Sequence, residues 1–238
     1  MEAIILAGGL GTRLRSVVKD QPKALAALGK FPFLYYLIKY LRNEGIDRFV
    51  FSLGYLHEQI EDFLKEYFPD LEYAVVIEDT PLGTGGAIKL CLNEVKSKEV
   101  LLVNADTFFE VNIRQLQDYF KQRQADCVIA LTSMHNFDRY GVVRLDEQSN
   151  VLEFVEKQQT EHGLINTGLI FLNKEKFDEL MGGLTGAFSF EKDVIEPNIS
   201  SMKIYGMSQE GFFIDIGIPE DYAKANAQLA FFENIISK

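Results

Sequence analysis

The fold is decided near the start of the chain, by AIILAGGLGTRLRSVVKDQPK at residues 3–23. The apolar run at residues 3–7 predicts a strand covered on both faces, as the strands of a parallel sheet are. Glycines follow at once, and they let backbone N–H groups approach phosphate oxygens because no Cβ stands in the way. Arg13 and Lys23 add full positive charges. The stretch therefore predicts a strand, a phosphate-binding turn and two cations that would hold a triphosphate.

Two other glycine-rich motifs can be tested against this stretch by their spacing. A dinucleotide fingerprint, GxGxxG, counted from Gly9 and Gly11, would need a third glycine where Leu14 stands. A P-loop needs GxxxxGK followed by Ser or Thr, and the sequence contains none. A tight turn that carries two solvated cations remains the alternative.

The rest of the first half alternates short apolar runs with helical patterns. The apolar runs predict strands at residues 48–53, 73–77, 100–104 and 127–131. Helices are predicted from Pro32, a favoured first helical residue, to a stop at Gly45, and near residues 58–65, 85–92 and 113–122. Such a β-α-β series implies right-handed crossovers and a ligand crevice at the carboxyl ends of the strands.

The pattern changes after about residue 130. Closely spaced strands at residues 141–145, 151–155 and 169–172 predict an antiparallel or mixed portion over the sheet. The chain closes with a strand at residues 212–216 and a helix that starts at Pro219. The sequence has no linker or repeat, so we expect a single domain over residues 1–238.

The composition limits the classes of protein that remain. With 238 residues, 47% of them hydrophobic, the chain can bury a substantial core. A formal net charge of -11 would repel a polyanion, so we expect no nucleic acid partner. Two cysteines outside any CxxC favour a reducing compartment, and the opening residues do not resemble a secretory signal. No apolar run approaches about 20 residues, so the sequence predicts a cytoplasmic protein without a membrane span.

Two acidic residues stand out because of the residues around them. Asp106 follows the apolar run at residues 100–104, and Asp215 lies in FIDIG, between hydrophobic residues. An acid in an apolar strand is costly unless it has a partner, and two carboxylates with phosphate oxygens and water suit Mg²⁺. We expect both acids to meet Arg13 and Lys23 around one metal-bound anion. A helix cap for Asp106 and a buried salt bridge for Asp215 are the alternatives.

A second glycine-rich stretch, EDTPLGTGGA at residues 78–87, follows a predicted strand and opens a predicted helix. Its glycines would let a flat base lie against the backbone. Glu78 could accept hydrogen bonds from both the N1–H and the N2 amino group of guanine, which favours GTP. Enzymes that use uridine nucleotides can carry a Glu near this point too, and a flexible surface turn is the simpler alternative.

Residues 6–23, LAGGLGTRLRSVVKDQPK, closely resemble LAGGxGTRLxPxTxxxPK, the signature of the sugar nucleotidyltransferase family. Ser16 replaces the usual proline and Val18 the usual threonine, departures similar to those of the branch that acts on heptose 1-phosphates. The resemblance covers nearly the whole chain. It implies a Rossmann-like three-layer α/β nucleotidyltransferase fold with a mixed, mostly parallel central sheet and a small antiparallel sugar-binding portion. The nucleotide-binding part would span about residues 1–130 and the sugar-binding part about residues 131–238.

The resemblance also implies roles for individual residues. Arg13, Lys23 and Asp106 would be catalytic, and Asp106 and Asp215 would hold Mg²⁺. The nucleotide would be bound by Leu6, Ala7, Gly8, Gly9, Gly11, Thr12, Arg13, Lys23, Glu78, Pro81, Gly83, Thr84, Asn104 and Asp106. The sugar phosphate would be bound by Tyr140, Gly141, Glu156, Lys157, Asn166, Thr167 and Asp215. Taken alone, Glu156 and Lys157 could equally be solvated charges on a strand edge.

The activity implied is the condensation of GTP with a heptose 1-phosphate, giving GDP-heptose and pyrophosphate for bacterial surface polysaccharides. A mannose 1-phosphate guanylyltransferase and a sugar 1-phosphate uridylyltransferase remain alternatives within the family. A non-catalytic nucleotide-sugar sensor with the same fold is an alternative of another class. The partners expected are small molecules, a nucleoside triphosphate and a sugar 1-phosphate, with a homodimer possible.

Overall fold

The computed structural model describes residues 1–9, 11–14 and 17–236, without the side chain of Thr12. Ser16 and the side chain of Thr12, both used above, therefore lie outside the described residues. The strands are β1 (Glu2–Leu6), β2 (Ala27–Leu28), β3 (Phe31–Pro32), β4 (Arg48–Leu53), β5 (Glu72–Ile77), β6 (Glu99–Asn104), β7 (Thr107–Phe109), β8 (Cys127–Phe137), β9 (Val142–Leu145), β10 (Val151–Val155), β11 (Thr160–Asn173), β12 (Ile204–Ser208) and β13 (Phe213–Asp215). The α-helices are α1 (Phe33–Asn43), α2 (His57–Tyr67), α3 (Gly83–Leu92), α4 (Ile113–Arg123), α5 (Lys174–Met181), α6 (Pro219–Ala227) and α7 (Leu229–Ile236). A π-helical turn occupies Phe190–Ile195, and 3₁₀ turns occupy Thr12–Leu14, Lys23–Leu25 and Glu196–Asn198.

One nine-stranded sheet forms the centre of the molecule. In it, β1 pairs in parallel with β4 and β6, and β4 pairs in parallel with β5. The long strand β11 runs antiparallel to β6, β8 and β9, while β12 runs parallel to β8. The predicted α/β class, with a mostly parallel central sheet and an antiparallel portion, is confirmed.

The antiparallel portion was expected to lie over the sheet, and this expectation is wrong because β11 joins it directly to the parallel strands. β11 is 14 residues long. Its residues 169–173 pair with β6, and its residues 160–166 extend further and pair with β8. The register shifts between Asn166 and Ile170, where Gly168 has a φ of 78°. The irregular segment of β11 therefore lies beside the carboxyl end of β6.

Hydrophobic cores cover both faces of the sheet, which makes the fold three-layered. Side chains that alternate along a strand point to opposite faces. Ile5 and Phe51 accordingly pack with α1, α2, α4 and α7, whereas Ile4 and Val50 pack with α3, α5 and the π-helical turn. This coverage explains why the first strands are almost continuously apolar.

The periodicity predicted the parallel strands and their helices closely but did not predict the short or irregular elements. Pro32 precedes α1 as its N-cap residue rather than beginning it. β7, α5, the π-helical turn and β12 were not predicted, because each is short and gives only a weak periodic signal. Among the described residues, no helix combines the length and apolarity needed to cross a bilayer.

Candidate active site

The two predicted metal-binding acids lie side by side at the carboxyl end of β6. Asp106 directly precedes β7, and β7 pairs antiparallel with β13, so that Asp215 lies opposite Thr107. The N–H of Ile216 donates to the carbonyl oxygen of Asp106 at 2.9 Å. A three-residue ladder thus joins two acids that are more than a hundred positions apart in the sequence.

Each acid has a cation beside it. Lys23 forms an ion pair with Asp106, and an Nη atom of Arg139 lies 3.9 Å from the carboxylate of Asp215. Arg139 also donates to Asp221 at 2.5 Å. Burial raises the pKa of Asp215, and the negative charge of Asp106 raises it further, against the opposing effects of Gly217 N–H, Lys23 and Arg139. The two carboxylates therefore repel each other in a half-buried setting.

Such a pair fits a divalent cation. No cluster of three or more His, Cys, Asp or Glu side chains suited to a metal occurs within the described part of the chain. Asp106 and Asp215 would therefore be the protein's donors to such a cation, and phosphate oxygens and water would complete its shell. A cation between the carboxylates would remove the repulsion that raises the pKa of Asp215.

The glycine-rich stretch at the start of the chain forms one wall of a cavity of about 310 Å³. Gly9, Gly11 and Lys23 line it, together with residues 18–22 and Tyr55. Arg13 lies in the 3₁₀ turn before this wall and is exposed. Of the four charged groups expected to meet, the described contacts join Lys23 to Asp106 and bring Asp215 beside them. No described ion pair brings Arg13 to either acid, and its phosphate role stays a prediction.

Glu78 lies at the far end of the crevice, where β1 and β4 end. It accepts hydrogen bonds from Ser52 Oγ at 2.8 Å and from the N–H of Leu82 at 3.1 Å. A Cβ on Gly8 would lie only 2.3 Å from a Glu78 oxygen, which explains the glycine there. Glu78, Gly8 and Pro81 line a cavity of about 540 Å³ whose other walls are residues 54–58. The carboxylate is thus held firmly while facing a space that can take a base.

The glycines after residue 82 have a structural use as well as the one predicted. The N–H of Gly85 donates to the carbonyl oxygen of Phe188 at 2.9 Å, and a Cβ on Gly85 would lie 2.3 Å from the Phe188 ring. Thr84 Oγ1 accepts from the N–H of Phe190 at 2.9 Å. In the described contacts, Gly83 and Thr84 face residues 188–190, and a role for them in nucleotide binding stays a prediction.

A third cavity, of about 520 Å³, brings together all the residues predicted to bind the sugar phosphate. β9, β10, β11 and β13, or the turns beside them, supply these residues. The predicted residues that line the cavity are Asn104, Tyr140, Gly141, Glu156, Lys157, Asn166, Thr167 and Asp215. These residues span more than a hundred positions, and the strand pairing alone makes them neighbours.

The polar groups of this cavity, which we call the sugar pocket, are held by their own partners. Thr167 is 1% exposed, and its hydroxyl donates to the carbonyl oxygen of Ala130 at 2.8 Å. Asn166 Oδ1 accepts from the N–H of Gly168 at 2.9 Å, and its amide nitrogen donates to Glu191. Burial, with the charge of Asp215, raises the pKa of Tyr140, so its hydroxyl remains a donor at neutral pH.

Three charged residues that line the sugar pocket were not predicted from the sequence, and they are Glu191, Lys192 and Glu196. Lys192 forms an ion pair with Glu156 at 2.5 Å, and Asn166 donates to Glu191 at 2.6 Å. The signal that could have revealed them is the charged cluster inside FEKDVIEP, at residues 190–197, in a segment with buried apolar positions.

The fold and the crevice define an α/β enzyme with a cavity beside Glu78, a second, polar cavity and two neighbouring acids, one of which, Asp215, lines the polar cavity. Residues 2–231 match the family model of nucleotidyl transferases, and the chain belongs to that family.

Several known proteins match this chain over nearly its full length. The chain is 42% identical to the D-glycero-alpha-D-manno-heptose 1-phosphate guanylyltransferase of Aneurinibacillus thermoaerophilus, over 96% of this chain and 98% of that one. It is 41% identical to the protein of the same name from Campylobacter jejuni, over 93% and 97% of the two chains. The crystal structure of HddC from Yersinia pseudotuberculosis superposes with a TM-score of 0.86 at 35% identity, covering 95% of this chain and 98% of that one. A second structure of HddC, with a TM-score of 0.85 at the same identity and coverage, is complexed with GMP-PN.

Proposed function

We propose that this protein condenses GTP with D-glycero-α-D-manno-heptose 1-phosphate, giving GDP-heptose and pyrophosphate. The observation that carries the proposal is the ladder that brings Asp215, which lines the sugar pocket, beside Asp106, whose ion-pair partner Lys23 lines the cavity of the glycine-rich turn. The relatives at 42% and 41% identity, named for this reaction, support the choice of substrates.

The chemistry needs no nucleophile from the protein. An oxygen of the sugar phosphate attacks the α-phosphorus of GTP in line, the bond from that phosphorus to the bridging oxygen breaks, and pyrophosphate leaves on the opposite side. Catalysis then consists of holding the two substrates in line and neutralising the charge that grows on the leaving group. Lys23, which pairs with Asp106 in the structure, and the exposed Arg13 are the cations that we propose for the triphosphate.

Mg²⁺ is the cation that we propose for Asp106 and Asp215. Bound there, it would neutralise charge on the phosphate oxygens of both substrates. Occupation of Asp106 by a metal would release Lys23 from its ion pair, so that its ammonium group could turn to the triphosphate.

Glu78 is proposed to select guanine. Its two carboxylate oxygens each accept one bond from the protein and keep a lone pair free, because an ionised carboxylate has about four acceptor sites. Guanine offers two adjacent donors, N1–H and the N2 amino group, whereas uracil offers one imino donor flanked by acceptors. A carboxylate held in this way therefore favours GTP over UTP.

The setting proposed for the reaction is the cytoplasm, where GDP-heptose would supply the synthesis of surface polysaccharides. A net charge of -11 argues against a nucleic acid as a further partner. The homodimer and the single domain that the sequence predicts stay predictions.

Measuring pyrophosphate release tests the proposal directly. The purified protein with Mg²⁺ is given GTP or UTP, each with the heptose 1-phosphate or with mannose 1-phosphate. We expect the highest kcat/KM for GTP with the heptose 1-phosphate. Turnover with UTP at an equal or higher rate would overturn the choice of guanine, and a preference for mannose 1-phosphate would overturn the choice of sugar. Nucleotide binding without release from any pair would favour the sensor.

A further inference from the structure

The π-helical turn Phe190–Ile195 gives one wall of the sugar pocket its charged face. The N–H of Glu196 bonds to the carbonyl oxygen of Glu191, so residues five apart are stacked along the turn. With this wide turn, Glu191, Lys192 and Glu196 all line the sugar pocket. An α-helical turn, with about 3.6 residues per turn, would place Ile195 over Glu191. Here the i to i+5 bond places Glu196 over Glu191, and Phe190, Val194 and Ile195 are buried.

The entry to this turn is fixed to the loop that carries Glu78. The N–H of Phe188 donates to the carbonyl oxygen of Leu82 at 3.0 Å, and Leu82 in turn donates to Glu78. Thr84 Oγ1 accepts from the N–H of Phe190. This wall of the sugar pocket is therefore attached to the loop that carries Glu78. We call the part of the crevice beside Glu78 the base end.

The turn holds two of the residues predicted to bind the sugar. Lys192 pairs with Glu156 at 2.5 Å, and Glu191 accepts from Asn166 at 2.6 Å. The side chains of Lys192 and Glu156 are 61% and 77% exposed. Exposed ion pairs contribute about 0–1 kcal/mol to stability, so the fold itself gains little from this pair. The ion pair instead fixes the position of the Glu156 carboxylate.

The charges that line the sugar pocket give Lys192 a second role. The acids that line it are Glu156, Glu191, Glu196 and Asp215, against the two lysines Lys157 and Lys192. A sugar 1-phosphate brings further negative charge. Without Lys192, the carboxylate of Glu156 would have no cation from the turn opposite it, and it could swing toward solvent or toward Lys157.

We propose that Lys192 is a positioning residue for the sugar 1-phosphate: it holds Glu156 so that this carboxylate accepts hydrogen bonds from the sugar hydroxyls, and it offsets the acidic wall that the sugar phosphate must pass. The inference rests on the proposed function of the site and adds to it a residue and a role.

The test compares three variants of the full-length protein with Mg²⁺, GTP and the heptose 1-phosphate. Lys192→Met removes the charge and keeps most of the length, and Lys192→Arg keeps the charge. Lys96→Met is the matched control, because Lys96 forms a similarly exposed pair with Glu72 at 2.9 Å on another part of the surface. For Lys192→Met we expect KM for the heptose 1-phosphate to rise about tenfold, with a smaller change in kcat and an unchanged KM for GTP. Lys192→Arg should stay within about twofold of the wild type.

The melting temperature of each variant separates positioning from a general loss of structure, and we expect all three to melt with the wild type. The inference is overturned if Lys192→Met raises KM for the sugar phosphate no more than Lys96→Met does. It is equally overturned if Lys192→Met changes KM for both substrates alike. Failure of the proposed function is a separate result, because the wild-type protein itself would then release no pyrophosphate from this substrate pair.

Discussion

The two ends of the crevice are built in different ways. At the base end, Gly54 and Gly83 let backbone segments approach closely, and Glu78 accepts hydrogen bonds from Ser52 and Leu82. At the sugar end, side chains from four strands and the π-helical turn hold one another through pairs such as Lys192 with Glu156. Backbone contacts can adopt few arrangements, whereas an exposed ion pair can exchange partners with a ligand at little cost. The base end is thus preorganised by the chain, and the sugar end by groups that a substrate can displace.

Asp106, at the junction of the two ends, gives the largest expected effect. Asp106→Asn keeps the shape but removes the charge that pairs with Lys23 and would hold the metal. We expect kcat to fall by about 10³-fold or more, because electrostatic stabilisation of this kind is among the largest contributions to catalysis. Pyrophosphate release measures it.

The control for this substitution is Asp70→Asn, an exposed acid before β5 at the opposite end of the parallel strands. It should leave kcat unchanged. A rate for Asp106→Asn within about tenfold of the wild type would contradict a role for Asp106 at the reacting phosphates.

Glu78 tests whether the base end is as fixed as its bonds indicate. In Glu78→Gln, an amide donor replaces one of the two oxygens, so it would face a donor of guanine. We expect kcat/KM for GTP to fall about 10²-fold, while the small activity with UTP changes less. The ratio of the two nucleotides provides the internal control. A GTP-to-UTP ratio equal to that of the wild type would show that Glu78 does not read the base.

Gly85 tests the contact that joins the base end to the sugar end. Gly85→Ala would force a Cβ against the Phe188 ring, and overpacking of this kind costs about 1–3 kcal/mol. Urea denaturation should show the corresponding loss of stability. Gly183→Ala is the matched control, because its added Cβ has nothing within 4 Å. Equal stability of the two variants would mean that the Phe188 ring moves aside at little cost in free energy.

Asp215→Asn gives the smallest expected effect, a change in thermal stability. The direction of this change follows from the raised pKa of Asp215. The pKa of this carboxyl in the folded protein lies above the ordinary 3.8 because of burial and Asp106. Folding therefore favours the protonated form: this contribution to stability is full below pH 3.8 and is lost as the pH rises through the raised pKa. At pH 7 in EDTA, Asp215→Asn should melt a few degrees above the wild type, since it removes a charge that repels Asp106.

Added MgCl₂ supplies the second half of this experiment. It should raise the melting temperature of the wild type more than that of Asp215→Asn, because a cation bound between the two acids stabilises the folded state. A lower melting temperature for Asp215→Asn in EDTA would contradict this expectation. It would mean that Gly217, Lys23 and Arg139 stabilise the charged carboxylate more than burial and Asp106 destabilise it.

The parallel strands and the first four α-helices were predicted from the sequence, because apolar periodicity is a local signal. The family signature and the Asp106 segment are local too, and they led to the correct family. The π-helical turn could not be predicted in this way, since its face follows from an i to i+5 bond that leaves no simple period in FEKDVIEP. The same holds for the use of Gly85, which depends on Phe188, a residue from another segment.

The sequence by itself therefore determined the strand and glycine loop at the start of the chain, the two conspicuous acids and the residues predicted to bind the sugar. Only the tertiary structure decided that Asp215 lies beside Asp106, and that Lys192 pairs with Glu156. The physical reason is that these neighbours come from strand pairing and register between distant segments. The sequence contains these residues, but pairing within the sheet brings them into contact.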